Sequence, residues 1–86
     1  MSPDEIEQLI NAGMPESQVS VNGDGSKFEA VVISADFAGL GPVKRHQRVY
    51  KIVAEQITSG AIHALTIRAF TPDEWLANQA RPRDEG

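Results

Sequence analysis

The long helical segment from 43 to 59 constrains the fold most, because it separates two β-rich runs. Apolar residues recur at helical spacing along it, and Pro42 and Gly60 bound it. The β-rich runs on either side cover residues 27–33 and 60–70. A helix between two strands of one sheet is a crossover, and its usual right-handed path leaves neighbouring strands parallel. We therefore expect a third strand parallel to the second.

Two short stretches, 2–5 and 71–74, have the chemistry of capping boxes and predict the starts of two further helices. Asp24-Gly25 lies between two β-rich runs and favours a hairpin turn. The predicted order is α-β-β-α-β-α, an α+β fold in which helices pack on a small three-stranded mixed sheet. We expect a single domain over residues 1–86, with a frayed tail at 78–86.

The absence of cysteine limits how so small a chain can be stabilised. The 86 residues contain no thiol, which excludes a disulfide framework and a cysteine-based zinc site. The core must therefore come from hydrophobic packing. No apolar run approaches the length of a membrane span, and the N-terminus is acidic where a signal peptide would be basic. These features predict a soluble, cytoplasmic protein with no membrane association.

The charge of the chain is unevenly distributed. A net charge of -4 argues against a generic nucleic-acid binder. Residues 42–51 nevertheless contain four bases and no acid, namely Lys44, Arg45, Arg48 and Lys51. This basic face predicts a surface that binds a partner, either protein or nucleic acid. The other interpretation is an ordinary solvated helix face.

Helical spacing also predicts which side of the long segment is buried. It places six residues on the inner face: Val43, His46, Tyr50, Val53, Ala54 and Ile57. Ile52 then lies among the polar residues as an isolated misfit. On this interpretation His46 is a packed, hydrogen-bonded side chain beside Tyr50.

Catalytic chemistry has little support in the sequence. No nucleophile motif, zinc-protease motif, phosphate-binding loop or paired-carboxylate motif is present, so we expect no enzyme activity. His63 shares strand parity with Leu65 and Ile67, which predicts an inward-facing, semi-buried imidazole. A closed zinc site needs about four ligands and the chain has two histidines, so a metal at His63 requires ligands from a partner.

Several motifs in their order along the chain resemble one known family. The stretches "GDGSKFEAVVIS", "VKRHQRVYKIVAEQI" and "IHALTIRAFTPDEW" are similar to the BolA family, particularly its short bacterial YrbA-like or IbaG-like branch. The resemblance extends over about residues 3–77. It implies a class II KH-like arrangement of α-β-β-α-β-α, which agrees with the order predicted from the residues.

The resemblance also implies a partner and a cofactor. BolA-like proteins pair with monothiol glutaredoxins and share a bridging 2Fe-2S cluster, held on the other side by the glutaredoxin cysteine and glutathione; alone they hold none. The histidine of the family motif corresponds to His63, the expected iron ligand. An imidazole changes the cluster potential relative to a thiolate. The implied role is iron–sulfur cluster trafficking or iron and redox regulation, within a stress response.

The sequence departs from the family pattern in the hairpin loop. Many relatives carry a second ligand there, a cysteine or histidine, whereas this chain has Asp24 and Lys27 at the ends of the loop. A carboxylate is a poor ligand for an iron–sulfur cluster, and a protonated lysine cannot ligate. Two alternatives stay open: Asp24 is a weak second ligand or loop contact, or the complex is an apo, regulatory pairing.

The family also implies an alternative function as a DNA-binding, transcriptional-regulator-like module. The basic face of the long helix would be the nucleic-acid contact. The GXXG loop of KH modules is missing, since "GLG" at 39–41 is one residue short, and the chain as a whole is acidic.

Overall fold

Three strands form one sheet, and helices cover it, in a computed structural model that describes residues 1–25 and 27–80. The elements are helix α1 (Pro3–Gly13), strands β1 (Gln18–Asp24) and β2 (Lys27–Ile33), helices α2 (Pro42–Ile52) and α3 (Ala54–Thr58), strand β3 (Ala64–Phe70), and helix α4 (Pro72–Ala80). A 3-10 turn, Ala35–Phe37, joins the hairpin to the α2 region. The predicted fold class is confirmed.

The sheet has the order β1-β2-β3. Strands β1 and β2 are antiparallel, whereas β2 and β3 are parallel. The parallel pairing confirms the crossover predicted from the helical segment between them. Val21 lies opposite Ala30 in the hairpin, and Ala30 lies opposite Ile67 in the parallel pair. All three side chains therefore point to the same face of the sheet.

Both predicted capping boxes are present. Ser2 caps α1: its hydroxyl accepts from the Glu5 N–H at 3.2 Å, while the Glu5 carboxylate accepts from the Ser2 N–H at 2.8 Å. Thr71 and Glu74 repeat the arrangement at the start of α4. That helix continues to Ala80, so it includes the first three residues of the segment predicted to fray; 81–86 lie outside the described residues.

The core lies between one face of the sheet and helices α1 and α2. Its members are apolar and nearly or fully inaccessible: Ile6, Ile10, Met14, Val21, Phe28, Ala30, Val32, Phe37, Val49, Val53 and Ile62. On the opposite face of the sheet, Trp75 of α4 packs against Phe70, with 5.3 Å between ring centroids. Trp75 thus anchors the last helix to the sheet.

Strand β1 depends on a glycine within it and on a glutamate of α1. Gly23 lies opposite Phe28, and the aromatic ring occupies the space where a Cβ at Gly23 would stand. The Val21 N–H points away from β2 and donates to the Glu7 carboxylate of α1 at 3.0 Å. The outer edge of β1 is therefore hydrogen-bonded to a side chain at this position.

The long predicted helix is broken, and its buried face differs from the prediction. Helix α2 ends at Ile52, and Val53 leaves helical geometry with φ -108° and ψ 15° before α3 begins. Val49 and Val53 are fully buried and Ile52 packs against the core, so Ile52 is not a misfit. By contrast, Val43 is 68% exposed and Tyr50 is 40% exposed. The prediction that these two residues face the core was wrong.

No helix within the part of the chain that the structure describes has both the length and the apolar character needed to span a membrane.

Candidate functional site

His63 lies just before strand β3, in the connection that follows α3, and its side chain is exposed. The alternating pattern of β3 does hold from Ala64 onward, since Leu65 and Ile67 pack against the core. His63 is outside the strand, so strand parity does not determine its direction. The prediction of an inward-facing, semi-buried imidazole was therefore wrong.

The residues on either side fix the backbone at His63. Ile62 is 1% exposed, and its N–H donates to the carbonyl of Gln56 at 3.0 Å. Gly60 turns the chain out of α3 with φ +88°, a conformation that L side chains rarely adopt. A Cβ placed at Gly60 would stand 4.0 Å from Nε2 of His63. An exposed imidazole is thus carried on an anchored segment.

The hairpin turn lies at the same end of the sheet as His63. Asp24 and Lys27 are the last pair of the β1–β2 ladder, next to the turn at Gly25. Lys27 is also the register partner of Ala64, the residue that follows His63. Both Asp24 and Lys27 are exposed. The fold therefore places His63, Asp24 and Lys27, which the family resemblance had singled out, at one end of the sheet.

The donors at this end of the sheet suit a shared metal site better than a complete one. Among residues 1–25 and 27–80, no group of three or more His, Cys, Asp and Glu side chains is placed to hold a metal ion. The imidazole of His63 is a nitrogen donor of the kind that iron and zinc accept. The described residues thus fit the donation of a single imidazole to a metal centre completed by another molecule.

The prediction placed Arg45 on an exposed basic face, but its side chain is largely covered. Its side chain is 15% exposed and its guanidinium binds Glu74 bidentately, at 2.6 and 3.0 Å. The same side chain donates to the carbonyls of Leu40 and Ala69, at 2.8 and 3.3 Å. It therefore joins the loop before α2, the end of β3 and the start of α4. This is a structural role, and sequence spacing alone could not reveal it.

The other three bases of the predicted face are exposed on α2. Arg48 forms an ion pair with Asp36 at 3.3 Å. Within the described part of the chain, no carboxylate lies within ion-pairing distance of Lys44 or Lys51. These bases line an open groove along α2 together with His46 and Tyr50, whose rings stack with 5.6 Å between centroids. His46 is an exposed residue of this groove, not a packed one.

The Arg45–Glu74 pair predicts a specific dependence of stability on pH. The Arg45 guanidinium, and secondarily the Thr71 N–H, lower the pKa of Glu74 from 4.5 to about 2. A carboxyl whose pKa is depressed in the folded state contributes stability above its unfolded pKa, and loses it as pH falls through the folded pKa. We expect Glu74→Gln to be less stable than wild type near neutral pH, and this difference to disappear between about pH 4.5 and about pH 2.

Thermal unfolding over that pH range measures the effect. Glu55→Gln is the matched control, because Glu55 is exposed and the same isosteric change removes one charge from α3. A stability difference between Glu74→Gln and wild type that stays constant down to the acid limit would contradict the assignment of the low pKa to Glu74.

Comparisons with known proteins match this chain to BolA-like proteins. The family model described as "BolA-like protein" matches residues 6–74. The acid stress protein IbaG of Escherichia coli K12 is 37% identical over 79 residues, which cover 92% of this chain and 94% of IbaG. The DNA-binding transcriptional regulator BolA of Haemophilus influenzae is 45% identical over 58 residues, covering 67% of this chain and 55% of that regulator.

A solved structure agrees with these sequence relatives. The structure of a bolA protein homologue from Coxiella burnetii superposes with a TM-score of 0.81 at 40% identity, covering 88% of this chain and 97% of the homologue. Fold, sequence relatives and family model agree, and this chain belongs to the BolA-like family, in its short bacterial branch.

Proposed function

We propose that this protein is the partner of a monothiol glutaredoxin, and that His63 donates its imidazole to a 2Fe-2S cluster shared between the two proteins and glutathione. The observation that carries the proposal is the exposed His63 on an anchored backbone, at the end of the sheet where the hairpin turn also lies. The described residues supply no complete metal site, which is consistent with ligands contributed by a partner.

Each residue at this end of the sheet has a definite part in the proposal. His63 would be the ligand, and a nitrogen ligand in place of a thiolate gives such a cluster a higher reduction potential. Ile62 and Gly60 hold His63 in its exposed position. Asp24 and Lys27 of the hairpin would contact the partner rather than ligate, because iron–sulfur clusters take sulfur and nitrogen ligands in preference to carboxylates.

Reconstitution with a monothiol glutaredoxin, glutathione, iron and sulfide tests the proposal by visible circular dichroism. We expect the wild-type mixture to give a spectrum that differs from that of the glutaredoxin alone. His63→Ala should abolish the difference, because the nitrogen ligand is lost. His46→Ala is the matched control, since it removes the other exposed histidine, which lies on α2. Asp24→Asn should leave the wild-type spectrum unchanged.

The proposal fails if His63→Ala gives the same spectrum as wild type. It also fails if the wild-type mixture gives the same spectrum as the glutaredoxin alone. Amide NMR spectra of each variant show whether the fold is retained, so loss of the spectrum through unfolding is recognised. A spectrum lost in both His63→Ala and His46→Ala would assign the effect to docking rather than to ligation.

The alternative function, nucleic-acid binding through the basic face of α2, is supported by the name of one relative, a DNA-binding transcriptional regulator. The structure weakens its physical basis in this chain. Arg45 is bound to Glu74 and Arg48 to Asp36, so half of the predicted basic face is paired with acids of the same chain. Phosphate binding depends on accessible cations. We therefore favour the glutaredoxin partnership.

A further inference from the structure

The outward face of α2 carries apolar side chains that the fold does not use. Val43 is 68% exposed and Tyr50 is 40% exposed, although Val49 of the same helix and Val53 just after its end are fully buried. Val43, Gln47 and Tyr50 are spaced by four and three residues, which places them in one line along α2, and Ala54, the first residue of α3, lines the groove beside Tyr50. We call this line the α2 stripe. Val43 and Tyr50, its large apolar members, are left exposed by the fold.

Cations flank the α2 stripe on one side. Lys44, Arg48 and Lys51 follow the stripe at helical spacing, and they line the same groove as Tyr50 and Ala54. No acidic side chain lines this groove within the described residues. Arg48 is partly neutralised by Asp36, whereas Lys44 and Lys51 have no acidic partner in the described part of the chain. The surface is therefore apolar in the middle and positively charged along one margin.

We propose that the α2 stripe is a docking surface for an acidic amphipathic segment of a partner protein. Apolar side chains of such a segment would cover Val43 and Tyr50, and its carboxylates would face Lys44 and Lys51. Two helices pack in this way when their apolar faces meet and their flanking charges are opposite. The proposal is independent of His63 and concerns a different element of the fold.

Two other occupants fit the surface less well. A nucleic acid needs many accessible cations and would approach a chain of net charge -4. A phosphate backbone would also bury little of the apolar surface of Val43 and Tyr50. A second copy packed symmetrically through α2 would bring Lys44 and Lys51 of each molecule close to the same residues of the other, which is repulsive.

Selection of displayed random peptides against the full chain tests the chemistry of the occupant. Each peptide is about 15 residues long, enough for about four helical turns. We expect enriched peptides with net negative charge and apolar residues at helical spacing. Their NMR titration should shift the amides of α2. Lys51→Glu should weaken binding about ten-fold, and added salt should weaken it further.

Matched variants distinguish docking at the α2 stripe from attraction to the chain's positive charges in general. Arg68→Glu makes the same change of charge on β3, on the face of the sheet opposite α2, and should leave the affinity within about two-fold. Tyr50→Ser should weaken binding without any change of charge. His63→Ala should bind the peptides as wild type does, so the docking surface and the proposed iron ligand fail or succeed separately.

Enriched peptides that are neutral or basic, or that shift residues outside α2, would overturn the proposal. A short DNA duplex or single strand that shifts the same α2 amides with equal affinity would assign the surface to nucleic acid instead. Self-association that Tyr50→Ser abolishes, measured by light scattering, would assign it to a second copy of the chain.

Discussion

Replacing Phe37 by alanine should lower the free energy of unfolding by about 3–5 kcal/mol, the usual cost of emptying a large buried aromatic site. Phe37 is fully buried in the 3-10 turn between the hairpin and α2, and the Arg45 guanidinium lies 5.9 Å from its ring centroid. A chain of 86 residues has a total stability of about 4–13 kcal/mol, so this single change removes a large part of it.

Urea denaturation followed by far-UV circular dichroism measures the loss. Val43→Ala is the reference, because it truncates an apolar side chain that is 68% exposed; we expect its effect to stay within about 0.5 kcal/mol. Equal destabilisation by the two substitutions would contradict the burial of Phe37 and the exposure of Val43.

The second large effect is expected at Gly23, where alanine should lower the free energy of unfolding by about 1–3 kcal/mol. A Cβ there would collide with Cδ1 of Phe28 and would stand 2.8 Å from the carbonyl oxygen of Lys27. Phe28 is 5% exposed and cannot move outward without leaving the core. The glycine is therefore required by close approach of the opposite strand.

A double-mutant cycle isolates this contact. In a Phe28→Val background the ring is gone, so Gly23→Ala should cost less unfolding free energy than in wild type, and the remaining cost comes from the Lys27 carbonyl. If Gly23→Ala is equally costly with and without the ring, backbone crowding at Lys27 is the cause rather than Phe28. Both variants also report on the hairpin beside His63, because β1 and β2 hold the turn in place.

The order of elements could be predicted because its signals are local. Capping boxes at Ser2 and Thr71, the turn at Gly25 and the crossover before β3 each depend on residues adjacent in sequence, and all four are confirmed. The resemblance to the BolA-like family added His63 as a candidate ligand, which composition and spacing alone did not favour.

The errors concern side chains whose direction depends on tertiary contacts. The segment from 42 to 53 has two apolar lines, one through Val43 and Tyr50 and one through Val49 and Val53, and periodicity alone cannot decide which one is buried. A clue was present, since only the second line makes Ile52 a core neighbour. Arg45 lies on the inner side because Glu74, distant in sequence, neutralises it. For His63, the parity rule failed because β3 begins one residue later.

The carboxylate of Glu7, bound to the outward N–H of Val21, has a consequence for how other molecules can approach the sheet. Strand addition requires an unoccupied row of backbone donors and acceptors on an edge strand. At the middle of β1 an incoming strand would first have to displace Glu7, so an extended peptide gains little by joining the sheet there. This part of the β1 edge is therefore less open to strand addition than an unoccupied edge would be.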